Sequence, residues 1–381
     1  MVLLISLDGF ANNYLGKAYT PTLDSLTKYG VKADALIPVF PSKTFPNHYT
    51  QVTGLYPGRH GIISNRMYDP QFKQYFNIGS ASTSVRDGRW FDGEPIWVTA
   101  SKQGLISATM FWPGSEAEIN GFRPDYFFAY NSSIPESDRI LQVLEWMALD
   151  KHRPHFISLY FEDIDHAGHL HGPNARAVFT TIELIDRQLN QLAKGITSLK
   201  LDEVVNLIIV SDHGMAAQSR ERVIFLDDYI SLQDIEVVNW SPVLELIPEF
   251  GKQELVYEQL STAHPKLSVY QNGIFPESWH LNGHRRATPI IGLAAPGWSI
   301  SSRTYFEEHL QAYTGGAHGY HPGEPDMQGI FIACGPAFKT GSRIGSLESV
   351  HLYQLLCNVL GLIPAQNDGI QEVWADILVK Y

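Results

Sequence analysis

Three apolar runs constrain this chain more than any other feature: VLLISL at 2–7, HFISLYF at 155–161 and VVNLIIVS at 204–211. Each is short and lacks hydrophobic–polar alternation, so each reads as a strand buried on both faces, the pattern of a parallel sheet. Helix-length segments lie around them at 94–103, 136–149, 174–196 and 349–360, with further strands expected in the sheet at 31–37, 105–110, 289–294 and 329–333. Another helix is expected from Thr20 as N-cap, with Pro21 in its first turn and Gly30 closing it. The alternation implies an α/β fold, a doubly wound, mainly parallel sheet with helices on both faces. Residues 215–287 break the rhythm and read as an insertion folded over the core of one domain spanning 1–381.

In an open α/β sheet, ligands bind in the crevice outside the carboxyl ends of the strands. The apolar runs end there on Asp8, on Asp165 and His169, and on Asp212 and His213; His318 follows in the glycine-rich TGGAHGY. Asp165 and His169 stand four positions apart, which on a helix puts both on one face. Asp212 and His213 are adjacent and need a sharp turn, which Gly214 eases. A set of carboxylates and imidazoles without thiolate favours zinc, with manganese or iron as other candidates. Within the cluster Glu162, Asp163, Asp165, His166, His169 and His171 several spacings reach a metal; Asp165 with His169 is preferred, and Asp163 and His171 read as solvated or supporting residues.

The formal net charge of -12 disfavours broad binding to duplex nucleic acid or an anionic membrane. A small anionic substrate then needs a local positive centre, which bound divalent cations supply. No run reaches the roughly 18 apolar residues of a membrane span, and no targeting segment is legible in the chain. Cys334 and Cys357 allow one optional bridge. Oligomeric state is left open.

Thr44, in PSKTFPN at or just before the start of a helix that ends near Gly54, adds a nucleophile. Its hydroxyl is unreactive unless a cation lowers its pKa. The segments SLDGF, PSKTFPNHYTQVTGLYPGRHGI, FWPGSEAEINGFRPD, DHAGHLHGP, SDHGM and GAHGYHP closely resemble the nucleotide pyrophosphatase/phosphodiesterase family of the alkaline phosphatase superfamily, over essentially the whole chain. The resemblance implies two zinc ions, one held by Asp165, His169 and His318, the other by Asp8, Asp212, His213 and Thr44. It further implies attack by Thr44 on phosphorus and a covalent threonine intermediate. Asn65 would contact a non-bridging phosphate oxygen, and Phe45, Tyr130 and Tyr160 would surround a nucleoside. Ile164 departs from the family, which often has proline before the ligand aspartate. The chain resembles the isolated catalytic domain of bacterial members, for which a periplasmic or secreted location is expected. The expected activity is hydrolysis of small phosphodiester or nucleotide substrates to nucleoside 5'-monophosphates. Hydrolysis of choline phosphodiesters or lysophospholipids, or an alkaline-phosphatase-like monoesterase activity, are the alternatives.

Overall fold

The computed structural model describes residues 1–79 and 82–379. Its centre is an eight-stranded sheet ordered Ser342–Ile344, Val31–Ala33, Phe331–Cys334, Asn206–Val210, Val2–Leu7, Phe156–Phe161, Ser107–Met110 and Tyr126–Phe128. Every pairing is parallel except those of Phe331–Cys334, which runs antiparallel to both neighbours. The first strand is buried along its whole length. Val2 and Leu4 join the core on one face, whereas Leu3, Ile5 and Leu7 join the core on the other. Helices Thr44–Thr53, Ile96–Lys102 and Leu352–Leu360 contribute to the first core, and Glu136–Ala148 and Arg176–Ser198 to the second. Helix Arg176–Ser198 buries Val178, Ile182, Ile185, Leu189, Leu192 and Ile196, spaced three or four apart. Each such side chain contributes roughly 1.5–3 kcal/mol of burial.

Several local expectations change. Thr20 sits at the N-cap of Pro21–Tyr29, but its hydroxyl donates to Asp24 instead of capping. The cap comes from another helix: buried Asp186 accepts from the amides of Thr22 at 3.1 Å and Leu23 at 2.8 Å, a carboxylate at a helix N-terminus. The strand expected at 31–37 divides into Val31–Ala33 in the main sheet and Leu36–Ile37, which pairs with Leu347–Glu348. Ile290–Ala294 does not return to the main sheet. It lies between Val243–Pro248 and Leu267–Gln271 in a four-stranded antiparallel sheet completed by Ile235–Asn239. A short apolar run is compatible with a buried strand in either kind of sheet, so composition did not distinguish them. Cys334 and Cys357 are free thiols.

Register sets the site. Ser6 pairs with Tyr160 on one side and Val210 on the other, so three strands end level along one edge. Asp8, helix Asp163–His171 and Asp212 all start from that edge.

Candidate metal centre

Asp8 and Asp212 are almost wholly buried, and Asp165 is partly buried on the first turn of helix Asp163–His171. Gly9 lets these pieces meet: its φ is +67°, and a Cβ there would lie 2.8 Å from the Asp165 Cα. Its amide donates to Asp212 Oδ1 at 3.2 Å. Gly214 is needed for space and not for a left-handed turn, because a Cβ there would stand 2.2 Å from the Asp326 carbonyl oxygen.

Three imidazoles face these carboxylates in one protonation pattern. Nδ1 of His169 meets the Gly316 carbonyl at 2.8 Å, that of His213 the Gly214 carbonyl at 3.0 Å, and that of His318 the Ser42 carbonyl at 2.8 Å. A carbonyl only accepts, so each Nδ1 carries the proton and each Nε2 is left with its lone pair. Nε2 of His213 lies 3.0 Å from Asp212 Oδ2, 3.5 Å from Asp8 Oδ1 and 3.4 Å from Thr44 Oγ1. Nε2 of His169 lies 3.4 Å from Asp165 Oδ2, and that of His318 lies 3.7 Å from Asp165 Oδ1. The His213 and His318 rings stack with centroids 3.6 Å apart.

One buried oxygen on each aspartate, Asp8 Oδ1, Asp165 Oδ1 and Asp212 Oδ2, has no hydrogen-bond partner among the described residues. His213 approaches Asp212 Oδ2 without the alignment of a hydrogen bond. Buried unpaired carboxylate oxygens facing imidazole lone pairs are electrostatically unfavourable until cations join them. Burial, then the Asp212 and Asp165 charges, pushes Asp8 well above the usual carboxylate range. Burial also raises Asp165. Burial and the two neighbouring imidazoles push His318 well below the usual histidine value. The donor set therefore fits divalent cations.

By distance alone the possible ligand atoms form two groups, Asp165 with His213 and His318, and Asp8 with His48 and Asp212, each within 4.8 Å. His48 was not singled out from sequence. Its Nδ1 donates to the Thr44 carbonyl at 2.9 Å and its Nε2 accepts from Ser6 at 2.7 Å, so neither nitrogen is left to ligate. It supports Asp212 from 3.4 Å. Its position four residues after Thr44, one helical turn along, was the signal available in the sequence.

Thr44 is the first residue of helix Thr44–Thr53, with Lys43 at the N-cap. Asn65 turns its carbonyl oxygen to the Phe45 amide at 2.9 Å, which fixes the side chain beside the threonine. Phe45 and Tyr130 line a cavity of about 340 Å³ that reaches Asp8, Thr44 and Asp165. Tyr160 also borders it, but Tyr160 is only 7% exposed and its hydroxyl donates to Asp8 Oδ2 at 2.6 Å, so it positions that carboxylate. Arg139, through Glu162, frames the same rim: Glu162 accepts from Arg139 at 2.6 Å and from Tyr130 at 3.2 Å.

The family model described as type I phosphodiesterase/nucleotide pyrophosphatase matches residues 2–321. Ectonucleotide pyrophosphatase/phosphodiesterase family member 1 of Mus musculus is 39% identical over 380 residues, covering 96% of this chain. The chain spans only 41% of that relative's length. Family member 5 of Homo sapiens is 38% identical, with 97% of this chain and 76% of the relative covered. The solved human member 5 superposes with a TM-score of 0.95 at 37% identity over all of both chains. An inactive threonine-to-alanine variant of murine member 5, in complex with AMP, superposes at 0.94 with 36% identity over 99% of each chain.

Proposed function

The chain belongs to the type I phosphodiesterase/nucleotide pyrophosphatase family, and from that premise we propose that it hydrolyses nucleotide phosphodiester and pyrophosphate bonds, releasing nucleoside 5'-monophosphates. The observation that carries the reading is the meeting of three orphaned carboxylate oxygens with three carbonyl-anchored imidazoles, one of which, His213, lies 3.4 Å from the hydroxyl of Thr44.

We assign two zinc ions, one to Asp165, His169 and His318 and one to Asp8, Asp212, His213 and Thr44. His213 goes with the second set because its Nε2 stands within 3.5 Å of oxygens from all three of those partners. When bound, such a pair lowers the pKa of a coordinated hydroxyl and stabilises charge on phosphoryl oxygens. Thr44 then supplies the nucleophile. Its Oγ1 loses a proton to solvent and forms a bond to phosphorus, while the bond to the departing oxygen breaks and its electron pair leaves with that group. Water next attacks phosphorus and gives up a proton, the bond from Thr44 Oγ1 to phosphorus breaks with its electron pair going to Oγ1, and Oγ1 takes up a proton to return as a hydroxyl. The Asn65 amide, fixed by its bond to the Phe45 amide, donates to a non-bridging oxygen, a neutral contact suited to a singly charged diester. Phe45 and Tyr130 present ring faces for a base, at about 1–3 kcal/mol per stacked base. The AMP complex and the inactivating threonine change in the murine relative support this reading.

The prefix "ecto" in the relatives' names supports a place outside the cytoplasm, secreted or periplasmic. No helix among the described residues is long and apolar enough to cross a membrane. The activity is tested by offering the zinc-loaded protein a nitrophenyl nucleotide diester, nitrophenyl phosphocholine and nitrophenyl phosphate. The nucleotide diester is expected to be turned over fastest; a preference of orders of magnitude for nitrophenyl phosphate would overturn the proposal.

A further inference from the structure

Lys43, the residue before the nucleophile, is only 7% exposed, and it lines the opening of the centre together with Asn65, His169 and His318. A cation in that place acts on whatever phosphate Thr44 attacks. Its ammonium donates to the buried hydroxyl of Ser64 at 3.1 Å, and its carbonyl accepts from Asn47 Nδ2 at 2.9 Å, so both ends of the residue are held.

The countercharge comes from the inserted sheet. Along strand Val243–Pro248, Leu244 and Leu246 belong to the core of that sheet, so alternation turns Glu245 to the opposite face, toward Lys43. Glu245 is 5% exposed. Asn239 donates to it and, at 2.7 Å, to the Arg66 carbonyl, and the same amide reaches Ser64 at 3.4 Å. Burial raises the Glu245 carboxyl above its usual range, and the Lys43 charge is the largest effect opposing that. Two other cations that line cavities at the centre are occupied as well. Arg86 donates to Glu116 at 3.0 Å, and Arg66 lies over the Tyr75 ring and donates to the Val238 carbonyl. A buried ion pair is weak support for a fold, since well-packed apolar residues of similar volume often serve as well. Its position beside the nucleophile accounts for the Lys43–Glu245 pair better than stability does.

Resting on the phosphodiesterase reading, we propose that Glu245 is a specificity-determining residue, whose charge cancels that of Lys43 and so biases the centre toward singly charged diesters and against doubly charged monoesters. With Lys43 balanced from behind, the protein offers no spare cation for a second negative charge on phosphate. Glu245 touches no substrate. It acts through Lys43, as a positioning residue, and takes no part in the bond changes.

Binding in a Thr44→Ala background isolates the charge balance from catalysis. AMP and its methyl ester share a nucleoside and differ by one charge at about pH 8, where a phosphate monoester is a dianion. Calorimetry on zinc-loaded protein reads the ratio of their Kd values. Adding Glu245→Gln, which keeps the volume and an acceptor for Asn239, is expected to tighten AMP relative to the methyl ester roughly tenfold. A residue that only holds the fold would move both Kd values together, so an unchanged ratio overturns the inference. Should Glu245→Gln lose its fold, Lys43→Gln is compared with the double variant Lys43→Gln/Glu245→Gln, in which only the Glu245 charge differs. The same roughly tenfold separation is expected there, and equal ratios overturn the inference. Turnover of the nitrophenyl nucleotide diester and nitrophenyl phosphate by the unmodified enzyme is scored separately. No hydrolysis of either, with the Kd ratio shifted as expected, rejects the activity reading and leaves the charge balance standing.

Discussion

Two regions of this protein bury carboxylates, and they treat them in opposite ways. Asp69 is wholly inaccessible, yet Oδ1 accepts from the amides of Gln71 at 2.8 Å and Phe72 at 3.2 Å, and Oδ2 from Arg286 at 2.6 Å and Arg285 at 3.0 Å. Against the effect of burial, Arg286 and the backbone hold it below the usual carboxylate range. Arg286 in turn gives Nη1 to the carbonyls of Gly61 and Trp90, each at 2.7 Å. At the candidate metal centre the chain orients Asp8, Asp165 and Asp212 but leaves one oxygen of each unpaired. The same cost of burial is offset internally in one place and left for an outside cation in the other. Burial of acid alone therefore does not mark a site; burial of acid with its countercharge missing does.

The sharpest way to break the contrast is Thr44→Ala, which removes a group the centre surrounds without removing a carboxylate. Turnover is expected to fall by at least about 10⁴-fold, while zinc, measured by elemental analysis, stays bound; activity close to that of the unmodified enzyme would take the threonine out of the nucleophile role. Next in size is Arg286→Met, which leaves Asp69 buried and half-neutralised. A loss of about 3–5 kcal/mol in urea denaturation is expected, and a near-neutral result would mean that the Asp69 region is not internally balanced.

A smaller effect comes from His60, beside the same arginine. Thr50 lies 2.9 Å from its Nε2 and the Ile62 amide donates to its Nδ1 at 3.2 Å. Burial pushes its pKa down to about 3. The unfolded chain then takes up a proton below about pH 6.5 that the folded one refuses, so stability falls with pH from there down to about 3. Between pH 7 and pH 5 this amounts to about 2 kcal/mol. His60→Gln should lose that much less over the same interval, and parallel curves would exclude His60 as the source. The smallest expected effect has the opposite sign. In chelated protein Asp165→Asn removes a charge that burial disfavours and should stabilise slightly in urea denaturation. A loss comparable to that of Arg286→Met would erase the distinction between the two regions.

The sheet and its strand-end acids were legible because runs such as 2–7 and 204–211 are apolar on both faces, and level strand ends follow from parallel register. Asp165 and His169 share a helix face, as their spacing required. Ile290–Ala294 was not legible, since composition carries no strand direction. Nor was the true cap of helix Pro21–Tyr29, because Asp186 reaches it from 164 positions away. Tyr160 looked like a ring for a base, and only its contact with Asp8 shows that its hydroxyl orients a carboxylate.

The three imidazole anchors have one more consequence. Each of them, at Ser42, Gly214 and Gly316, is a peptide oxygen and not a side chain. The choice of tautomer is thus written in the path of the main chain. A comparison of side chains alone would pass over these contacts. What must be kept is the course of the main chain at three separate points.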